Sequence, residues 1–301
     1  MQYLILLMLG LAMFPLGAEA RSLALTFDDG LDPLKTPQAA QWNTQLLAGL
    51  EADGITAMLF PSLVHAGSAE GLALVQQWSA KGHAVGNHTS HHRNLGSPKV
   101  ELESFLADVM AADSVLNVLP TFVPMLRFPY LKEGDTREKR DGMRTWMTDN
   151  GYRSAPVSID ASDWYYNSVY LDLTGKGDTK DLETLKPAYL AHLLDRAAYY
   201  DSLAVGLLGR SPAHVLLLHT NAINANWLTD VLDAFTGQGW ELVTPETAFR
   251  DPLYSAAPDV LPAGESIVWS LAREAGLEGL RYPAEDSVYE EPILRAAGLV
   301  P

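Results

Sequence analysis

The stretch Leu23-Ala24-Leu25-Thr26-Phe27-Asp28-Asp29-Gly30 decides the fold. An apolar, extended run stops at two carboxylates and a glycine turn, as a buried strand does when its carboxyl end carries polar work. The same grammar recurs downstream. Strands are expected at 23–27, 56–60, 84–86, 125–128, 152–159, 214–218 and 241–243. Helical patterns lie between them at 36–54, 69–81, 98–116, 137–150, 182–208 and 225–238. The first helix is expected to open with Thr36 as its cap and Pro37 at its first position. Strands alternating with helices predict βαβ units and a parallel sheet. Seven of them with outer helices predict an α/β protein, a distorted seven-stranded (β/α) barrel. Residues 164–180 begin Trp164-Tyr165-Tyr166-Asn167, turn rich in Gly and Asp, and read as a long substrate-binding loop. From about Pro252 the pattern changes. A short helix over 265–275 and a charged, proline-containing stretch over 282–292 form a short C-terminal appendage on the barrel.

The chain divides into residues 1–20, 21–251 and 252–301. The first 20 read as a signal peptide: 4–16 is continuously apolar and Ala18-Glu19-Ala20 is a small-x-small cleavage site. No Lys or Arg precedes the run, and the alternative is an uncleaved anchor. The run is shorter than the ~20 apolar residues a spanning helix needs. The reading predicts a periplasmic or secreted mature chain with no integral membrane domain after cleavage. The formal net charge of −16 argues against nucleic acid and anionic membrane surfaces as partners. With no cysteine, disulfides and thiolate metal sites are excluded.

Polar residues fall at five predicted strand ends, where α/β barrels gather catalytic groups. His88 and His92 are four apart, so a helical turn would put both imidazoles on one face, close enough to share an ion. Asp29 adds an oxygen donor. Two His and one carboxylate leave positions open for water and substrate, as a catalytic metal requires. Adjacent side chains on an extended segment point to opposite sides. A turn at Gly30 therefore lets one aspartate bind metal while the other faces the water as a general base. Arg127 can hold a carboxylate bidentately and keep it ionised. Pro129 fixes the backbone so that the Tyr130 N–H points at a developing oxyanion. His219 ends the apolar run Val215-Leu216-Leu217-Leu218, where it can act as general acid. Asp163 or Asp160 would raise its pKa. His65, His83, His91, His192 and His214 take structural readings, with the His91 ring pointing away from its two neighbours.

Together Thr26-Phe27-Asp28-Asp29-Gly30, His88-Thr89-Ser90-His91-His92, Arg127-Phe128-Pro129-Tyr130, Asp160-Ala161-Ser162-Asp163-Trp164 and Leu217-Leu218-His219 resemble, in order and spacing, the five motifs of the polysaccharide deacetylases of carbohydrate esterase family four. The resemblance covers about residues 22–250. It implies a distorted (β/α) barrel over the catalytic segment 21–251. Asp28 would be the catalytic base, Asp29, His88 and His92 the metal ligands, and Arg127 the residue orienting the base. Asp163 would tune His219, the general acid. Pro129, Tyr130 and Trp164 would bind substrate, Trp164 as a wall of the groove. Zinc is the usual ion, with cobalt or another divalent metal also used. Two departures stand out. Leu31-Asp32-Pro33 follows Gly30 where the family often has proline at once, and Leu131 follows Tyr130 where a small or polar residue is common.

The implied activity is an exported, metal-dependent hydrolase. It removes N-acetyl groups from an amino-sugar glycan of chitin, peptidoglycan or exopolysaccharide type and releases acetate. The acetylated glycan is the expected partner. An O-acetyl esterase acting on xylan would use the same site. A non-catalytic glycan-binding protein would be expected to lose the base or acid first, and a non-haem iron oxygenase would leave the paired aspartate and His219 unexplained.

Overall fold

A computed structural model describes residues 21–301, so the expected signal peptide lies outside the described residues. Among the described residues there are nine strands: β1 (Arg21–Asp29), β2 (Met58–Pro61), β3 (Ala84–Asn87), β4 (Phe122–Leu126), β5 (Lys132–Gly134), β6 (Arg153–Ser154), β7 (Ala213–His219), β8 (Trp240–Leu242) and β9 (Ala263–Gly264). Seven form one sheet in the order β6-β4-β3-β2-β1-β7, with β8 beside the start of β1. Every pairing in it is parallel.

The chain after β6 closes the ring. Ala155 N–H still donates to Leu126 O of β4 at 2.8 Å. Ser158 and Ile159 N–H both reach Val215 O of β7, and Leu217 N–H returns to Ile159 O. The expected strand 152–159 is thus a two-residue strand followed by a single bridge between Ile159 and Leu216. Pro156, without an N–H, cannot sustain a ladder between them.

The pleat sorts the core into two layers. Leu23, Leu25 and Phe27 of β1, Leu59 of β2 and Leu216 and Leu218 of β7 face the helices. Ala24, Met58, Phe60, Val215 and Leu217, on the alternate positions, fill the barrel interior with Met125 and Val157. The interior is packed rather than open, and its polar rim lies at the carboxyl ends of the strands. In register, the Asp28 Cα lies opposite that of His219 on β7, and Asp29 opposite Pro61 on β2.

Three local expectations are corrected. The first helix is Ala39–Ala52 with Gln38 at its cap. Lys35 and Thr36 N–H instead donate to Asp32 O in a preceding turn. Residues 164–180 are no loop: Asp163–Lys176 is a helix, followed across Gly177 by a second, Thr179–Leu208. Tyr166, Val169, Tyr170 and Leu173 supply a buried helical stripe that outweighs the segment's Gly and Asp content. His88 to His92 is not a helical turn but a loop, with Thr89 at φ 66° and His92 at φ 52°.

Residues 252–301 pack against the barrel through β9, which pairs antiparallel with β5, and through the helices Ile267–Glu274 and Ser287–Ala296. Glu265 N–H donates to Leu131 O, Ile267 N–H to Val157 O and Ser266 O–H to Ser158 O. Trp269, Ala284 and Leu294 are buried in the same outer core as Tyr189 and Leu193.

Candidate active site

The strand ends converge on a cavity of about 650 Å³. Asp29 ends β1 at φ 81°, with Gly30 at φ 85° behind it, and both aspartates of the pair reach the same imidazole, Asp28 Oδ2 at 3.7 Å and Asp29 Oδ1 at 3.8 Å from His88 Nε2. Asp29 Oδ1 lies 3.4 Å from His92 Nε2 and 3.8 Å from His88 Nε2. One donor atom from each of the three residues lies within 4.8 Å of the other two. The loop that replaces the expected helical turn is held from within. Asn87 Oδ1 accepts from Thr89 N–H at 2.8 Å, and Thr89 Oγ1 accepts from His92 N–H at 3.0 Å. His88 Nδ1 lies 2.7 Å from Arg127 O, so it carries the proton and leaves the Nε2 lone pair facing Asp29. Burial pushes both His88 and His92 down to about 4, which keeps them neutral near pH 7. Burial works against the Asp29 carboxylate, yet His65 and the surrounding imidazoles hold it below the usual range. Asp29 Oδ1 is buried without a hydrogen-bond partner. An ionised oxygen without an aligned hydrogen bond, beside the Nε2 atoms of His88 and His92, fits a divalent cation with mixed N and O ligands, such as zinc. The His91 ring turns away onto Asp108, as expected.

Asp28, one residue earlier on β1, is buried. Arg127 Nη1 donates to both its oxygens at 3.0 and 3.3 Å. The guanidinium is fixed in turn: Nη2 donates to Thr26 Oγ1, Nε to Ala155 O, and the group lies 4.5 Å over the Phe60 ring. Burial raises the Asp28 pKa to about 6 despite the opposing charge of Arg127. Asp28 Oδ2 is 3.7 Å from His88 Nε2, which puts the carboxylate beside the donor cluster without joining it.

Of the two aspartates that sequence reasoning left open as partners of His219, Asp163 makes the contact. Its Oδ1 lies 2.6 Å from His219 Nδ1, and its Oδ2 accepts from His219 N–H at 2.8 Å and from the Asn224 side chain at 2.7 Å. Asp160 instead turns back to its own Ala161 N–H. Burial disfavours a charged His219. The Asp163 charge and hydrogen bond, with the charges of Asp29 and Asp28, overcome this and raise the ring to about 10, leaving Nε2 for the cavity.

Pro129 is buried, and Tyr130 follows it at φ 57°, its half-exposed ring 4.7 Å from that of His92. Trp164 stands exposed on the first turn of Asp163–Lys176 and lines the cavity. Leu131 closes part of the wall where a smaller residue was expected. The lining residues that sequence reasoning did not assign to the site include His65, Lys132, Glu265 and Glu285. His65 follows the carboxyl end of β2 and was discoverable by the strand-end rule. Glu265 and Glu285 come from beyond residue 252, and Glu265 pairs with Lys132 across the β5–β9 contact.

Among the described residues, six that are not glycine take a positive φ: Asp29, Thr89, His92, Tyr130, Leu131 and Glu265. Five line this cavity, and Thr89 lies between His88 and His92. Strain of this kind, about 1–3 kcal/mol per residue, gathers where function demands a geometry.

Residues 17–152 match the family described as polysaccharide deacetylase. A peptidoglycan-N-acetylglucosamine deacetylase of Bacillus cereus is 30% identical over 142 residues, 47% of this chain and 46% of that protein. The chain spans about half the length of the curated relatives it matches. A solved polysaccharide deacetylase from Bacillus cereus superposes with a TM-score of 0.53 at 19% identity, covering 74% of this chain and 91% of that one. A family 4 carbohydrate esterase from Bacillus subtilis gives 0.50 at 17% identity, covering 77% and 82%. At such identities the superpositions speak for the fold, and the fold is the barrel read from the strand pattern. The matched segment carries the first three of the five motifs, so over residues 17–152 the chain is similar in sequence to the polysaccharide deacetylase family, and its barrel has the fold of the solved deacetylases.

Proposed function

We propose that the chain is an exported, metal-dependent deacetylase that hydrolyses N-acetyl groups of an amino-sugar polysaccharide or oligosaccharide, with zinc as the resident ion. One observation carries the reading: Asp29, His88 and His92 gather their donors within 4.8 Å of one another, with Asp28 beside them and His219 opposite Asp28 on β7. The relatives that match the chain are named for amide hydrolysis on N-acetylglucosamine, which favours the amide over an acetyl ester. Export rests on the apolar leader, and no described helix is long and apolar enough to cross a membrane.

A divalent ion held by Asp29, His88 and His92 supplies Lewis acidity toward the acetyl oxygen and lowers the pKa of a water. The residues of the chain do the rest. Asp28 takes a proton from the attacking water, and the buried Arg127 fixes its carboxylate at the required angle. The Tyr130 N–H is assigned to the developing oxyanion. His219, protonated and held by Asp163 through Nδ1, delivers its Nε2 proton to the departing nitrogen. The products are acetate and a free amino sugar. Trp164 and the Tyr130 ring offer apolar faces to the sugar.

The test is acetate release, followed by mass spectrometry, from the zinc-loaded protein offered chitooligosaccharides, peptidoglycan fragments and acetylated xylan. The reading predicts mass losses of one acetyl group on an amino-sugar substrate. Release from xylan alone would replace it with an esterase, and release from none of a broad acetylated panel would refute it.

A further inference from the structure

His65 lies outside the five motifs, yet the fold delivers it to the donor cluster. The segment from Ser62 to Ala66 is stitched to both donor loops. Ser62 N–H donates to Asp29 O at 3.0 Å, Leu63 N–H to Thr89 O at 3.2 Å and Val64 N–H to Ser90 O at 2.6 Å. Ala66 Cβ occupies space so close to Gly30 that a Cβ there would meet it at 2.7 Å. The short helix Leu63–Ala66 therefore cannot drift relative to Asp29. Its one polar side chain on the cavity, His65, places Nδ1 3.0 Å from Asp29 Oδ1. Both atoms are buried, and neither has an aligned hydrogen-bond partner elsewhere. The His65 and His92 rings are 5.1 Å apart.

We propose that His65 is a positioning residue for the metal centre, its Nδ1–H holding the Asp29 carboxylate at the angle that lets it act with His88 and His92. At 3.0 Å the pair is within hydrogen-bond length, and a small rotation aligns it. A direct ligand role fits less well. Zinc–nitrogen bonds of about 2.0–2.1 Å keep donors within roughly 4.2 Å of one another. His65 falls outside the set of donors that meet even a 4.8 Å limit. Residues that orient a metal ligand in this way typically contribute about 10–100-fold in metal affinity. The inference rests on the metal part of the proposed function.

The test is a zinc titration of the metal-free protein against a chromophoric chelator, comparing wild type, His65→Ala and His65→Asn. The Asn side chain carries its N–H two bonds from Cβ, as the imidazole carries Nδ1. Thermal midpoints of the metal-free forms identify any variant that has lost its fold. The expected result is a ~10–100-fold loss of affinity in His65→Ala, largely recovered in His65→Asn. An affinity in His65→Ala equal to wild type would overturn the proposal. So would equal losses in both variants, which would make the imidazole itself a ligand. A wild type that binds no zinc would refute the metal reading beneath it, whereas zinc binding indifferent to His65 would refute this inference alone.

Discussion

Asp163→Asn offers a test that separates the acid–base reading from simple structural damage. His219 is raised from 6.5 to about 10 against the opposing effect of burial, first by Asp163 and further by the charges of Asp29 and Asp28. A general acid works while protonated, so this raised value extends the active range upward, toward pH 10. An amide removes the charge and cannot accept at both ends. Its oxygen would turn to the three donors on Oδ2, the His219 N–H and the side chains of Asn221 and Asn224. Its NH₂ would then meet Nδ1, a contact that disfavours the imidazolium. The ring should titrate well below the wild-type value, toward its ordinary ~6.5. Between about pH 7 and pH 9 wild-type His219 stays more than ~90% protonated, while the variant loses protonation roughly tenfold per unit. The ratio of wild-type to variant kcat should therefore widen by close to two orders of magnitude across that interval. Groups common to both proteins cancel in the ratio. The assay is initial acetate release at saturating substrate, in constant ionic strength, at half-unit steps. A ratio that stays flat with pH would refute the assignment, even if the variant were slow. Linkage gives a second readout. Because the folded-state value is raised, the associated stability is fully present below about pH 6.5 and is lost as pH rises through about 10. It amounts to roughly 5 kcal/mol at most. The stability gap between the two proteins should therefore narrow in alkali.

Asp28→Asn keeps the shape but removes the proton acceptor and the partner of Arg127. Turnover should fall by ~10²–10⁴ above about pH 6, where the wild-type carboxylate is ionised, and by less below it, with zinc affinity much less affected, as read by chelator competition. Chelation should abolish activity, and zinc at about 100 times its dissociation constant should stabilise the protein by about 2.7 kcal/mol, read as a rise in thermal midpoint. No shift on adding zinc, cobalt or manganese would remove the metal from the site.

The parts legible in the sequence were those where one segment carries its own information. A strand ending in Asp28-Asp29-Gly30 and another ending in His219 declare their polar ends. Parallel order, itself read from the alternation of strands and helices, brings those ends to one rim. Legibility failed where composition and periodicity disagreed. Residues 164–180 look like a loop by their Gly and Asp content, whereas Tyr166, Val169, Tyr170 and Leu173 keep helical spacing and bury together. It failed again where one spacing has two solutions: His88 and His92 meet through a loop whose left-handed residues Thr89 and His92 replace the expected turn of helix. Glu265 and Glu285 needed contacts between distant segments, such as the tie from Glu265 to Leu131.

The six left-handed residues link these observations. Glycine takes a positive φ without strain, and this chain uses it in ordinary turns such as Gly54, Gly82 and Gly151, where a Cβ would meet nothing. At and beside the cavity the chain keeps Asp29, Thr89, His92, Tyr130, Leu131 and Glu265 in the same backbone region, at about 1–3 kcal/mol each. Glycine would relieve that strain and remove the side chain. Asp29 and His92 would lose their donor atoms, and Thr89 the hydroxyl that accepts from His92 N–H. Glu265 would lose its ion pair with Lys132. The strain is tolerable because neighbouring segments fix these backbones from outside: Ser62 N–H on Asp29 O, Leu63 N–H on Thr89 O and Glu265 N–H on Leu131 O. Local sequence rules therefore break down at the rim of the barrel for the same reason that the rim can do chemistry. The side chains the site needs stand on backbone that only the assembled fold can hold.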